Sequence, residues 1–280
     1  MSLSPPPEIA QPRGFKFSLE RGVALITLSR PQRYNALTFD IYQELSDFFV
    51  TLQRHEEVRS VVITGEGKAF CSGGDVEDII GELFSRDMKG LVAFTRVTGA
   101  LIQNIRQLRK PVIAAVNGVA VGAGAVIALA CDIRYASDRA RFGFIFPQVG
   151  LCGADMGATY LLPKVVGLGH ASELLFSGEI IRVERAVEIG LVNRHCRADD
   201  EEDCVTQALA FARKLAAGPA FAHSMTKQML ESEAQMNLAA AIEAEAQVQA
   251  ICMQHPDFRE AYEAWREKRP PRFEGAPQDD

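Results

Sequence analysis

The sequence predicts an α/β fold with a helical C-terminal region. Three observations carry that reading. β-branched runs alternate with segments of helical spacing up to about residue 200. Two glycine-rich turns each leave an apolar run and enter a helix-like pattern. From Ala171 onward helical patterns follow one another, with no convincing strand.

In chain order, Val23–Leu28 and residues 58–64 are β-branched runs bounded by turn residues and read as strands. Between them Thr38 is placed to cap a helix whose apolar positions Ile41, Tyr42, Leu45, Phe48, Phe49 and Leu52 follow helical spacing. No charged residue occurs from Val112 to Cys131, a length that could span a bilayer. Asn117 and the glycines inside it would expose turn backbone to lipid, so the better reading is a buried strand at Val112–Val116, a turn, and a helix from Ala123. A short strand at 133–136 continues the alternation. Helical patterns then cover 171–176, 183–189, 201–217, 221–231, 237–255 and 257–268. The expected organisation is a disordered segment 1–12, an α/β core 13–200, a helical region 201–269 and a disordered tail 270–280 rich in proline and charge.

Composition narrows the function. The net charge is −6 and no Lys/Arg-rich block appears, which argues against nucleic acid as a partner. Cysteines 71, 131, 152, 196, 204 and 252 form no C-x-x-C pair and no zinc-type spacing with histidine, so reduced cytoplasmic thiols and no metal are expected. The polar, proline-rich start lacks the charged-then-apolar order of a signal peptide.

The two turns are Ala69-Phe70-Cys71-Ser72-Gly73-Gly74-Asp75-Val76 and Asn117-Gly118-Val119-Ala120-Val121-Gly122-Ala123-Gly124-Ala125. Each can point one backbone N–H at a common place, which holds a developing oxyanion without using a side chain. Glycine allows the close approach, and a helix N-terminus adds partial positive charge. Each turn alone would equally suit an ordinary strand–helix connection.

The series of motifs resembles the crotonase (enoyl-CoA hydratase/isomerase) superfamily. Arg30-Pro31 through Asn35-Ala36-Leu37 is similar to its N-R-P-x-x-x-N-A-L opening. Ala69 to Asp75 is similar to A-F-x-x-G-x-D, and Asn117 to Gly124 followed by Cys131-Asp132-Ile133 to N-G-x-A-x-G-x-G with C-D-I. Leu162-Pro163-Lys164-Val165-Val166-Gly167, Ala186 with Gly190-Leu191-Val192, and Trp265 to Arg269 also fit. The resemblance implies a spiral of ββα units and a C-terminal helical region that assembles a trimer or a dimer of trimers. It implies a coenzyme A thioester as substrate and no other cofactor. It places the oxyanion donors at the N–H groups of Gly74 and Ala123. It also puts Arg33, Ala36, Ala69, Cys71, Ser72, Gly73, Asp75, Val76, Trp265 and Lys268 along the CoA path. Arg33 and Lys268 could equally be solvated surface charges.

The chain departs from the hydratases of that superfamily. Where they carry two glutamates it has Val126 and Phe146, which would line the acyl pocket and can transfer no proton. Asp155, in a glycine-rich loop, resembles the aspartate of dienoyl-CoA isomerases. If apolar residues such as Phe144, Leu151 and Met156 surround it, desolvation raises its pKa and suits it to proton transfer. Glu77 and Asp78 read as first-turn helix carboxylates, Asp132 as structural, and His55, His170, His195, His223 and His255 as surface or capping residues. Phe144, Phe146 and Tyr160 hint at an aromatic pocket. The expected protein is an acyl-CoA enzyme that stabilises a thioester enolate, away from membranes and in the cytoplasm. The alternative is a non-catalytic acyl-CoA-binding protein on the same fold; an RNA-binding role is disfavoured by the charge.

Overall fold

The computed structural model describes residues 9–277; Met1 to Glu8 of the expected N-terminal segment and residues 278–280 of the tail lie outside them. The chain begins with β1 (Phe15–Glu20), β2 (Val23–Leu28), α1 (Phe39–Gln53), β3 (Ser60–Gly65) and β4 (Ala69–Cys71). A π-type turn, Val76–Ile80, runs into the short α2 (Gly81–Leu83), followed by α3 (Met88–Gln107), β5 (Val112–Val116), β6 (Val119–Val121) and α4 (Ala123–Ala130). Then come β7 (Ile133–Ser137), β8 (Arg141–Gly143), α5 (Ala158–Ser177), β9 (Ile180–Arg182), α6 (Val183–Glu188) and β10 (Arg194–Cys196). The chain closes with α7 (Cys204–Ala216), α8 (Ala220–Ser232), α9 (Leu238–Gln254) and α10 (Pro256–Glu267).

Successive strands are dealt to two sheets. The larger has the order β1-β2-β3-β5-β7-β10 and the smaller β4-β6-β8-β9. In the larger sheet β1 pairs antiparallel and every later pairing is parallel; in the smaller only β9 is antiparallel. Each passage β3→β4, β5→β6 and β7→β8 therefore turns a corner between sheets before a helix returns the chain. This is the expected spiral of ββα units. The corners require backbone against backbone. A Cβ on Gly118 would lie 2.0 Å from the carbonyl oxygen of Lys68, so only glycine fits there.

Both faces of the large sheet are covered. One face carries Ala24, Ile26, Val61, Ile63, Ala114 and Val116 into the main core with α1, α3 and α4. The other carries Val23, Val62, Ile113, Ala115 and Tyr135 against Ala208, Ala212 and Ala216 of α7. Double covering explains why β3 and β5 are buried at every position instead of at alternate ones. Thr38 caps α1 by accepting the Ile41 N–H at 3.3 Å, and all six apolar positions expected of this helix are buried.

Several expectations are corrected. The region beyond Ala171 does contain strands, β9 and β10. Each is three residues long, too short to show a period, and exists because a neighbouring strand supplies its partner. β1, the short second-sheet strands and α3 gave no separate signal. α5 begins at Ala158, well before residue 171, and is broken at Gly167 (φ 79°, ψ 159°) inside the Leu162–Gly167 motif. α7, which lies beyond the expected boundary at residue 200, is part of the sheet's cover. The expected disordered tail is tied down as far as Glu274: Arg59 Nη1 donates to the Glu274 carbonyl at 2.8 Å and the Glu274 N–H to Asp257 at 2.8 Å. Among the described residues no helix is long and apolar enough to cross a membrane, and α4 is simply an eight-residue helix with every residue buried.

Candidate active site

The two glycine turns come together where the sheets meet. Gly73 has φ +96°, and a Cβ on it would lie 3.4 Å from the Ala123 nitrogen and 3.2 Å from the Val121 carbonyl oxygen. A Cβ on Gly124 would lie 2.0 Å from the Cys71 carbonyl oxygen, so the first turn of α4 sits directly on β4. Leu37 braces the first turn: its N–H donates to the Gly73 carbonyl at 2.8 Å, and its carbonyl accepts the Asp75 N–H at 2.9 Å. The intervening Gly74 N–H is left over, and Ala123, as the first residue of α4, has no carbonyl one turn back. Among the described residues neither N–H has a protein acceptor.

The flanking motif residues build this geometry. Asn35, in the left-handed region (φ 58°), is buried and donates through Nδ2 to the carbonyls of Ala69 (2.8 Å) and Glu66 (3.0 Å), while its Oδ1 accepts the Arg30 N–H (2.9 Å). Asn117 Nδ2 donates to the Gly67 carbonyl at 3.0 Å and its Oδ1 accepts the Gly65 N–H at 3.2 Å. The two asparagines clamp the β3–β4 corner from both sides. Asp75 is structural in its side chain. It caps the N–H groups of Glu77 (3.1 Å) and Asp78 (3.3 Å) and meets Arg30 Nη1 at 3.0 Å. Burial alone would raise its pKa; the two backbone N–H groups and the guanidinium outweigh burial and lower it.

The other expected contact residues divide. Ala36 and Ala69 are buried beside the turn, Ser72 is half-buried and Val76 is exposed. Burial pushes the Cys71 thiol up to about 12, so it is an inert packing group. Arg33 is exposed and paired with Glu77 at 2.6 Å. Trp265 and Lys268 lie at the end of α10, exposed, with no hydrogen bond or ion pair to the turns among the described residues. Val126 is fully buried, and Phe146, nearly so, opens a 3-10 turn.

Asp155 is half-buried, between Gly153 and a two-residue stretch of positive φ, Met156 (+47°) and Gly157 (+81°). Burial raises its pKa, with the Met156 N–H pulling the other way. Its surroundings are not all those expected: Met156 is buried but Leu151 is exposed. Tyr160 is no pocket wall. It lies on the surface under Lys164, whose Nζ is 3.6 Å from the ring centroid, and accepts from Gln235. Phe144 is core.

Asp132 is structural as expected, accepting the Val112 N–H and the buried Lys227 ammonium, each at 2.8 Å. The histidines divide. His255 caps α10, while His55 is buried against Glu57 (2.7 Å) and His223 is also partly buried, so neither is a surface residue. His195 does have an acidic partner, Asp138 at 2.5 Å, which lies far away in sequence and so escaped sequence reading. Ser137 beside it is spent on the Asn117 carbonyl, so no triad forms. Sequence reasoning also missed Tyr42, counted there only as an apolar helix position. Its hydroxyl is 3.8 Å from where a Cβ of Gly74 would be, and burial, then charge on Cys71 and Asp155, holds its pKa well above the ordinary phenol value. It lies beside the first glycine turn, near enough to Asp155 for that charge to act on it.

Two backbone donors without a protein acceptor thus lie where the two glycine turns of a ββα spiral meet. Comparison with known proteins gives the family. A family model for enoyl-CoA hydratase/isomerase matches residues 18–276. The 1,2-epoxyphenylacetyl-CoA isomerase of Escherichia coli K12 is 34% identical over 257 residues, 92% of this chain and 97% of that one. The short-chain-enoyl-CoA hydratase of Clostridium acetobutylicum is 33% identical over 254 residues, 89% and 93% of the two chains. A Streptomyces coelicolor A3(2) protein, whose crystal structure carries a provisional enoyl-CoA hydratase name, superposes with a TM-score of 0.91 at 47% identity over 98% of each chain. The chain belongs to the enoyl-CoA hydratase/isomerase family of the crotonase superfamily.

Proposed function

We propose that the protein is an acyl-CoA enzyme that stabilises a thioester enolate. The thioester carbonyl oxygen accepts from the N–H groups of Gly74 and Ala123. As the α-proton leaves, charge moves onto that oxygen, and both donors are already in place for it. Asp155 moves the proton, its raised pKa bringing it toward the working range of a general base. The observation that supports this most is the close approach of the two glycine turns, a Cβ on Gly73 lying 3.4 Å from the Ala123 nitrogen, with the Gly74 and Ala123 N–H groups lacking a protein acceptor among the described residues. CoA runs along Ala36, the backbone from Ala69 to Val76, and Arg33, with Trp265 and Lys268 reaching it from α10. With Val126 and Phe146 in place of two acids, isomerisation or another enolate reaction is easier to write than two-base hydration. The isomerase relative supports that direction. No metal or redox cofactor enters this chemistry.

The working form is a trimer or a dimer of trimers. α9 has no buried residue in the single chain, and Leu238, Ile242 and Ile251 stand exposed on it. A groove of about 560 Å³ between α8 and α9, lined by Met225, Met229, Val248 and Cys252, is apolar surface that a second copy would cover. Six free cysteines suit the reducing cytoplasm.

The test is exchange of the α-proton of butyryl-CoA in deuterated water. Wild type exchanges and Asp155→Asn, which keeps size but carries no proton, does not; crotonyl-CoA is hydrated slowly by both. Rapid crotonyl-CoA hydration that survives Asp155→Asn overturns the assignment. Binding of CoA thioesters without any exchange would instead favour the non-catalytic binding protein.

A further inference from the structure

Of the seven buried residues of α1, Tyr42 and Ser46 carry side-chain polar groups, and the Ser46 hydroxyl accepts from Asn104 Nδ2 at 2.9 Å. A buried tyrosine hydroxyl ordinarily finds a partner. Here the ring is 2% exposed and held edge-on by Phe94, centroids 6.1 Å apart at 85°, yet the hydroxyl has no hydrogen-bond partner among the described residues. The sealed, unpartnered side-chain polar atoms among those residues are His223 Nδ1 and Glu233 Oε1. The Tyr42 oxygen is unpartnered without being sealed, so it opens onto space.

Its neighbours identify that space. The oxygen lies 3.8 Å from the position of a Cβ on Gly74, and the charges that act on it are those of Cys71 and Asp155. It therefore stands beside the first glycine turn, within reach of the Asp155 charge, and on the oxyanion reading it faces the ground that the first carbons of an acyl group would occupy. Burial keeps it protonated, so it acts there as a donor.

We propose that Tyr42 is a specificity-determining residue whose hydroxyl donates a hydrogen bond to an acceptor oxygen on the β-carbon of the bound acyl group. This rests on the oxyanion reading above. With the carbonyl oxygen at Gly74 and Ala123, and Asp155 at the α-carbon, the β-carbon is the next atom outward. A plain alkyl chain would strip water from the hydroxyl and offer nothing in return, which is costly for a buried donor. A 3-oxygenated acyl thioester satisfies it. The site thus selects for such thioesters by penalising their alkyl analogues.

The test is titration calorimetry with acetoacetyl-CoA and butyryl-CoA, which share a chain length and differ in the oxygen at the β-carbon. Wild type should bind acetoacetyl-CoA more tightly by about tenfold or more. Tyr42→Phe should bind butyryl-CoA better and acetoacetyl-CoA worse, shrinking the ratio by about tenfold. No preference in wild type, or a ratio that Tyr42→Phe leaves unchanged, overturns the proposal. An unchanged ratio with a shifted pH profile of α-proton exchange also overturns it, since Tyr42 would then act through Asp155. If wild type binds neither thioester, the acyl-CoA reading falls and this one with it.

Discussion

A methyl group on Gly73 would lie 3.4 Å from the amide nitrogen of Ala123, although the two residues belong to different ββα units. That contact sets the spacing of the two proposed oxyanion donors. Gly73 also has φ +96°, a conformation that side chains rarely adopt. Gly73→Ala should therefore cost about 1–2 kcal/mol of stability and lower kcat more than it raises KM. Equal kcat in a folded variant, measured by steady-state kinetics, contradicts the arrangement.

Gly74→Pro removes one donor outright. Loss of one oxyanion donor lowers kcat by about 10²–10³-fold. Circular dichroism should show the fold retained. Near-normal turnover in the folded variant rules Gly74 out as a donor.

Asp155 should betray its burial through the pH dependence of stability. Its folded pKa is raised, so the folded chain holds the proton to higher pH than the unfolded chain. The stability this gives is complete below the unfolded value of about 3.9 and is lost as pH rises through the folded value. Asp155→Asn is neutral throughout and escapes that loss. The Tm of the variant relative to wild type should therefore be more favourable at pH 8 than at pH 4. A gap that stays constant, or narrows toward pH 8, means the carboxyl is not desolvated.

Asp75 predicts the opposite sign. Its folded pKa is lowered, so its contribution is present above the unfolded value and disappears as pH falls through the folded one. Asp75→Ala removes two caps and the nearer of Arg30's two carboxylates, leaving it Asp78 at 3.5 Å, for an expected loss of about 1–3 kcal/mol. Asp75→Asn keeps cap acceptors and should lose less. Urea denaturation of the two variants checks the order; equal losses would mean the caps contribute nothing.

Assembly should be visible in solution. Sedimentation at micromolar concentration should give a trimer or a multiple of three, and Ile242→Glu, on the exposed face of α9, should dissociate it. A monomeric wild type contradicts the assembly.

The sequence by itself determined the α/β class, the buried strands β2, β3 and β5, the cap and apolar face of α1, and the family, because these reside in local period, turn chemistry and ordered motifs. It also determined that Val126 and Phe146 carry no acid. Tertiary structure decided what depends on partners far away in the chain. β9 and β10 exist only through β8 and β7. Arg59 and Asp257 fix the tail, Asp138 finds His195 across 57 residues, and Gly73 meets Ala123. Tyr42 shows the difference most plainly. Helical spacing put it in the core, and only the packing of α1 against the first glycine turn left its hydroxyl facing open space, because a period fixes which face is buried but not what that face meets.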